Sequence, residues 1–309
     1  MRTAARRSHE SIRGARPCPP LDSPCNTGEI AAMEREKSGR RVLVTGASAG
    51  IGRAFASVFA EHGFDIVLTA RREDRLTALA KQLERAHGIR ATVIPADLSD
   101  PAAPQRLFDE TRARGLAIDA LVNNAGYAVP FYFRSSPWQE HARFIQVMVT
   151  AVAHLTHLFE PGMGERGYGR IINVASVAGL VPSSAGLTLY GASKAFVIKF
   201  SEALAAEHAG DGVHVTAVCP GYTHSEFHDV VGNREKVDRL PWPMWMDAEA
   251  VARQGYAAVM AGEVLLINGV VNRGIAAVAR LGPQRAIRAV LRAGTRRLRR
   301  LERGAGSMT

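Results

Sequence analysis

Residues 41–52 read Arg41-Val42-Leu43-Val44-Thr45-Gly46-Ala47-Ser48-Ala49-Gly50-Ile51-Gly52, an apolar run that empties into a glycine-rich turn. A helical pattern over Gly52–His62 follows directly. Glycines at 46, 50 and 52 allow a tight turn and close backbone approach at a helix N-terminus, where free N–H groups and the helix dipole favour a pyrophosphate. A purely structural turn would use the same glycines. The position between a strand and a helix favours the phosphate reading.

Outward from this turn, short Val/Ile/Leu-rich runs alternate with helical segments. Strands are expected at Arg41–Thr45, Asp65–Ala70, Ala91–Pro95, Ala120–Asn123, Gly169–Val174 and Val213–Cys219, with a seventh at Val264–Leu266. Helices are expected near Gly52–His62, Glu73–His87, Pro104–Gly115, Gln139–Glu160, Leu189–Ala209 and Asp247–Ala261. Such βαβ alternation implies a doubly wound parallel sheet of Rossmann type, an α/β fold whose strands are buried on both faces. The alternation stops after Gly221, where open α/β folds place substrate-covering segments. The organisation expected is an extension over 1–38, one domain over 39–266 and a basic helical extension over 267–309. Residues 1–38 mix Arg, Ser, Pro and Gly without apolar periodicity and read as disordered, with Met33 an alternative start.

Apolar residues make up 47% of the 309, ordinary for a soluble globular chain, and no run of about 18 apolar residues suggests a membrane span. Arg6-Arg7 is followed by no apolar segment, so it does not read as an export signal. Cys18, Cys25 and Cys219 form neither a disulfide framework nor a metal site, and a reducing cytoplasm suits them. The net charge of +10 is concentrated: Arg273–Arg303 holds ten arginines against Glu302 alone. The rest of the chain is nearly neutral, which argues against a nucleic-acid-binding core.

Further motifs follow in order. Asp97-Leu98 comes after the third strand, Asn123-Asn124-Ala125-Gly126 ends the fourth, Ser176 ends the fifth, Tyr190-Gly191-Ala192-Ser193-Lys194 opens a helix, and Pro220-Gly221 ends the sixth. With the G-x-x-x-G-x-G turn, this series resembles the short-chain dehydrogenase/reductase family over about residues 40–260. The resemblance implies a nicotinamide cofactor held by Gly46, Ser48, Gly50, Ile51, Gly52, Asp97, Leu98, Asn124, Ala125, Gly126, Pro220 and Gly221. Asp97 would meet the adenine and Lys194 the nicotinamide ribose. Ser225 falls where a threonine of the family bonds the carboxamide.

Tyr190 and Lys194 are four apart on a helix and share a face. An ammonium near a phenol lowers its pKa from about 10 toward working pH, making tyrosine a usable general acid or base. Ser176 would donate to the same substrate oxygen. The second strand ends in Arg71-Arg72 with no acid, which suits the 2′-phosphate of NADP(H); a solvated basic loop is the alternative. His224, Glu226 and His228 lack a further ligand cluster, so no metal is expected.

One residue departs from the family. Met148 stands where the long helix after the fourth strand carries an asparagine that holds a water beside the lysine, and methionine cannot fix a water as an amide can. On a regular helix Gln146 and Thr150 face elsewhere. Two readings follow, an NADP(H)-dependent oxidoreductase interconverting a carbonyl and an alcohol, and a cofactor-binding protein with weak or no catalysis; a scaffold acting through the tail is a third. Phe131, Tyr132, Phe133, Trp138, Trp242 and Trp245 suggest an apolar substrate, though aromatics serve cores equally well. In the final segment Ile287, Val290, Leu291, Leu298 and Leu301 recur among arginines, which fits an amphipathic helix on an anionic membrane or a helix packed on its own domain, with an oligomer contact or nucleic acid as further alternatives. The family also implies a homo-oligomer. The setting expected is cytoplasmic, with peripheral membrane contact open.

Overall fold

Val42, Leu43 and Val44 are buried from both sides in β1 (Arg41–Thr45), as expected of an interior parallel strand. In this computed structural model, residues 39–128, 133–183, 188–224 and 244–282 are described. After β1 come α1 (Gly50–Glu61), β2 (Asp65–Thr69), α2 (Glu73–His87), β3 (Ala91–Val93), α3 (Ala103–Ala113) and β4 (Ala120–Asn123). Next are α4 (Trp138–Glu165), β5 (Gly169–Val174), α5 (Thr188–Glu207) and β6 (Val213–Cys219). The chain continues with β7 (Tyr222–Thr223), β8 (Trp245–Met246), α6 (Ala248–Ala261), β9 (Leu265–Ile267) and α7 (Val270–Leu281). Seven strands form one parallel sheet in the order β3-β2-β1-β4-β5-β6-β9, while β7 and β8 pair separately.

The strand order reverses between β1 and β4, and the crevice at their C-terminal ends is where such sheets bind ligands. One face is covered by α1, α2 and α6 around Phe55, Phe59, Leu76 and Val251. The other is covered by α3, α4 and α5 around Leu107, Phe144, Leu155 and Leu204. By length and composition α4 resembles a membrane-crossing helix, yet Phe144, Met148, Leu155, Phe159 and Met163 pack into this core.

Several expected boundaries move. β3 stops at Val93, before Pro95, which has no N–H for a ladder bond. β9 lies one residue later than expected. α1 begins at Gly50 and α4 runs through Pro161 to Glu165. Pro161 and His157, whose carbonyl loses its donor, are both exposed, so water can replace the missing bond. The largest departure is a π-turn over Gln146–Thr150 within α4, which breaks the regular helix assumed for Gln146, Met148 and Thr150. Residues 1–38 with Met33, Cys18 and Cys25 lie outside the described residues, as do Phe131, Tyr132, Ser225, Glu226, His228, Trp242 and the tail beyond 282.

Candidate functional site

Thr45 ends β1 with its side chain buried, and its hydroxyl ties two segments together. It donates to the Val122 carbonyl at 3.1 Å and accepts from the Asn124 and Ala125 N–H groups at 2.9 and 3.0 Å. The Asn124 amide donates back to the Thr45 and Gly46 carbonyls at 3.0 and 3.3 Å. The glycine turn and the end of β4 are thereby one rigid unit. Gly46 adopts φ +66°, and a Cβ on Gly52 would lie 2.4 Å from the Gly46 carbonyl oxygen, so each position requires glycine. Sequence reading missed Thr45, whose signal was a buried-type strand end immediately before the first glycine.

The N-terminus of α1 is open to an anion. Its N-cap Ala49 makes no side-chain capping bond, and its first turn holds no acid. Across the mouth of the turn, Arg72 donates from Nε and Nη2 to the Ser48 hydroxyl at 3.2 and 2.9 Å. Arg71 beside it is exposed. Exposed Asp97 accepts from the Ser99 N–H at 3.0 Å, and Leu98 beside it is buried. Positive charge at the end of β2 and an uncapped helix at the end of β1 fit the two phosphate positions of a 2′-phosphorylated dinucleotide.

At the end of β5, Ser176 has an extended backbone and caps the short 3-10 turn Val177–Gly179. Its hydroxyl accepts from the Ala178 N–H at 3.2 Å and lies 3.4 Å from the Pro220 carbonyl. This turn rests backbone-to-backbone on α5: a Cβ on Gly179 would fall 2.6 Å from the Lys194 carbonyl carbon. Gly179 is a second residue the sequence reading passed over, and it sets the distance between Ser176 and the Tyr190–Lys194 pair. Farther below, buried Asn123 donates to Thr156 and Asn173, and Asn173 to Ser201, which links β4, β5, α4 and α5 through polar bonds.

Ser176, Tyr190 and Lys194 converge. The Ser176 hydroxyl bonds the Tyr190 phenol, and the Lys194 ammonium lies 5.7 Å from the centre of the Tyr190 ring. Lys194 is buried and donates to the Val174 carbonyl at 2.8 Å. Burial holds it at about 8, below its ordinary value. The phenol is raised above its ordinary value, the reverse of the lowering expected from the lysine. Desolvation outweighs the Ser176 bond, and the ammonium is turned to Val174. Cys219 is a free, buried thiol pushed up to about 12 by burial.

Met148 is buried, with its sulfur against Gly126; a Cβ there would lie 2.9 Å away. Within the π-turn the Gln146 amide nitrogen is buried and has no hydrogen-bond partner among the described residues. On the other side of the crevice, His224 stacks on Trp245 with centroids 4.5 Å apart, and Tyr222 lies 5.9 Å from the same indole. Phe133 and Trp138 are exposed around His141.

A family model described as short chain dehydrogenase matches residues 40–236. The very-long-chain 3-oxoacyl-CoA reductase of Anas platyrhynchos is 37% identical over 198 residues, 62% of this chain and 62% of that protein's length. The 7beta-hydroxysteroid dehydrogenase of Collinsella aerofaciens is 34% identical over 189 residues, 61% of this chain and 71% of that one. Among solved structures, a short-chain dehydrogenase from Sphingobium yanoikuyae in complex with NADPH has a TM-score of 0.69 at 34% identity, covering 76% of this chain and 90% of that one.

Proposed function

The chain belongs to the short-chain dehydrogenase/reductase family of oxidoreductases, and on that footing we propose that it interconverts a carbonyl and an alcohol with NADP(H), Tyr190 serving as general acid and base. The observation that carries the reading is the convergence of Ser176, Tyr190 and Lys194 at the end of β5. When bound, the nicotinamide supplies hydride for reduction and accepts it for oxidation.

The raised phenol keeps its proton at neutral pH, so Tyr190 starts a reduction as the acid and gives that proton to the substrate oxygen. Ser176 donates a hydrogen bond to the same oxygen as negative charge develops there. Lys194, at about 8, is largely charged at pH 7 and stabilises the phenolate that Tyr190 leaves. In oxidation Tyr190 runs the same step in reverse. Gly46, Gly50, Ile51 and Gly52 would hold the pyrophosphate, Ser48, Arg71 and Arg72 the 2′-phosphate, and Asp97 and Leu98 the adenine. Asn124, Ala125, Gly126, Pro220, Gly221 and Ser225 would line the nicotinamide side. The Arg72–Ser48 clasp supports the preference for NADP(H).

The stacked His224–Trp245 pair and the exposed Phe133 and Trp138 support an apolar carbonyl as substrate. Two relatives are named for apolar compounds, a very-long-chain oxoacyl thioester and a steroid. A cytoplasmic setting belongs to the same reading. Assay of the purified chain for NADPH oxidation over aldehydes, ketones and quinones tests it. Tyr190→Phe is expected to lower kcat by about 10²–10⁴-fold with NADPH binding kept, and undiminished turnover overturns the mechanism. Met148 favours a second reading, a cofactor-binding protein with little catalysis, because a buried thioether replaces the expected amide beside Gly126. Tight NADPH binding with no turnover on any carbonyl selects it.

A further inference from the structure

α7 is amphipathic the wrong way round for a helix that serves only its own domain. Its buried residues are the small or polar Asn272, Ala276 and Ala279. Its large apolar residues face outward, with Val270 74%, Val278 64% and Leu281 84% exposed, and Val271 and Ile275 continuing the stripe. Of ten large hydrophobic side chains exposed among the described residues, five lie in these twelve residues of helix. A helix folded solely against its own core buries its large apolar side chains and exposes its small and polar ones. Such a concentrated apolar patch marks an interaction surface.

The inner face is already fixed. The Asn272 amide donates to the Asn268 carbonyl at 2.8 Å and touches the Met246 sulfur at 3.5 Å. A Cβ on Gly221 would fall 2.4 Å from the Asn272 side-chain oxygen, so α7 is seated directly on the end of β6. The outer stripe therefore points away from a docked helix. Arg273 and Arg280 lie in the same helix, and residues 283–303 add eight arginines against Glu302. Two copies meeting through this region would bring like charge against like charge, whereas an anionic surface complements it.

We infer that α7 docks the protein on an anionic lipid bilayer, its apolar stripe entering the interface while Arg273 and Arg280 of the same helix meet lipid phosphates. Because the inner face of α7 rests on Gly221, the lipid surface lies across this one helix from the end of β6. Delivery of an apolar carbonyl from the bilayer is the consequence, and that part rests on the proposed function. Docking itself does not.

Co-sedimentation of the full chain with vesicles tests the inference without any turnover. Partition onto vesicles of equal phosphatidylglycerol and phosphatidylcholine is expected to exceed that onto phosphatidylcholine alone by about tenfold or more, and to weaken with salt. Joint Val278→Asp and Leu281→Asp is expected to lower anionic partition by about tenfold, with thermal unfolding and NADPH binding checking that the fold is kept. On the unaltered chain, hydrogen exchange over residues 270–281 is expected to slow on anionic vesicles. Tyr190→Phe is expected to bind vesicles as the natural chain does, which separates docking from catalysis. Equal pelleting with and without anionic lipid overturns the inference, as does full binding by the double variant or exchange that vesicles leave unchanged. A dimer that the double variant dissociates, with no lipid binding, overturns it in favour of a second copy.

Discussion

The two sides of the crevice are built differently. On the β1–β4 side the Thr45 hydroxyl alone makes three bonds, all to backbone groups, and Asn124 adds two more to the same turn. Gly46 and Gly52 sit where no side chain fits. On the β6 side, β7 and β8 pair over only two residues each, and around that short ladder the packing is made by the rings of Tyr222 and His224 on Trp245 and by the contact of Asn272 with Gly221. The first side is specified by backbone geometry, which suits a ligand of constant shape. The second is specified by side chains, which suits a ligand that differs from one relative to the next. Ser176, Tyr190 and Lys194 lie between them at the end of β5 and the start of α5.

Breaking the backbone side is expected to have the largest effect. Gly52→Val places branched carbon against the Gly46 carbonyl and the Asn124 amide, and NADPH affinity measured by fluorescence titration is expected to fall at least a hundredfold, with a lower melting temperature. Near-natural affinity would show that the turn yields where the geometry says it cannot. Arg72→Glu removes the guanidinium bonded to Ser48 and sets a carboxylate at the end of β2; the NADPH-over-NADH preference in kcat/KM is expected to drop about a hundredfold. An unchanged ratio would mean that Arg72 is only a solvated surface group.

The side-chain wall should be softer. Trp245→Ala is expected to raise KM for a carbonyl substrate about tenfold and leave NADPH affinity within about twofold, since the indole packs against Tyr222 and His224 of that wall. A loss of cofactor affinity instead would erase the distinction between the two sides. The smallest effect concerns Lys194. Its folded value of about 8 lies below its ordinary 10.5, so between those values the unfolded chain binds more protons and stability rises with pH. Below pH 8 the buried ammonium lowers stability. Lys194→Met is therefore expected to stabilise the cofactor-free protein by about 1–2 kcal/mol at pH 7, an advantage that shrinks as pH rises from 8 to 10.5. A destabilised variant at pH 7 would show that the bond to Val174 outweighs desolvation.

Legibility followed the same division. The glycine turn, Asn124, Ser176, Tyr190, Lys194 and Pro220 were readable because each sits at the end of an element whose apolar run or helical period announces it. Thr45 and Gly179 were not, since their importance lies in partners 77 or more residues away for Thr45, and in α5 for Gly179. The raised Tyr190 phenol also escaped the sequence, because spacing on a helix reports who is near and not how much water is excluded. Regular periodicity hid the π-turn at Gln146–Thr150, where one extra residue is absorbed without any proline or glycine to mark it.

Sequence by itself determined the α/β class, the order of its strands and helices and the positions of the strand-end motifs, because buried parallel strands and amphipathic helices impose periods that a single chain displays. Only the tertiary structure decided which groups those motifs bond, how burial tunes Tyr190, Lys194 and Cys219, and that α7 turns its large apolar residues outward. Those properties depend on what lies across space from each residue, and desolvation and contact are set by neighbours distant in the chain.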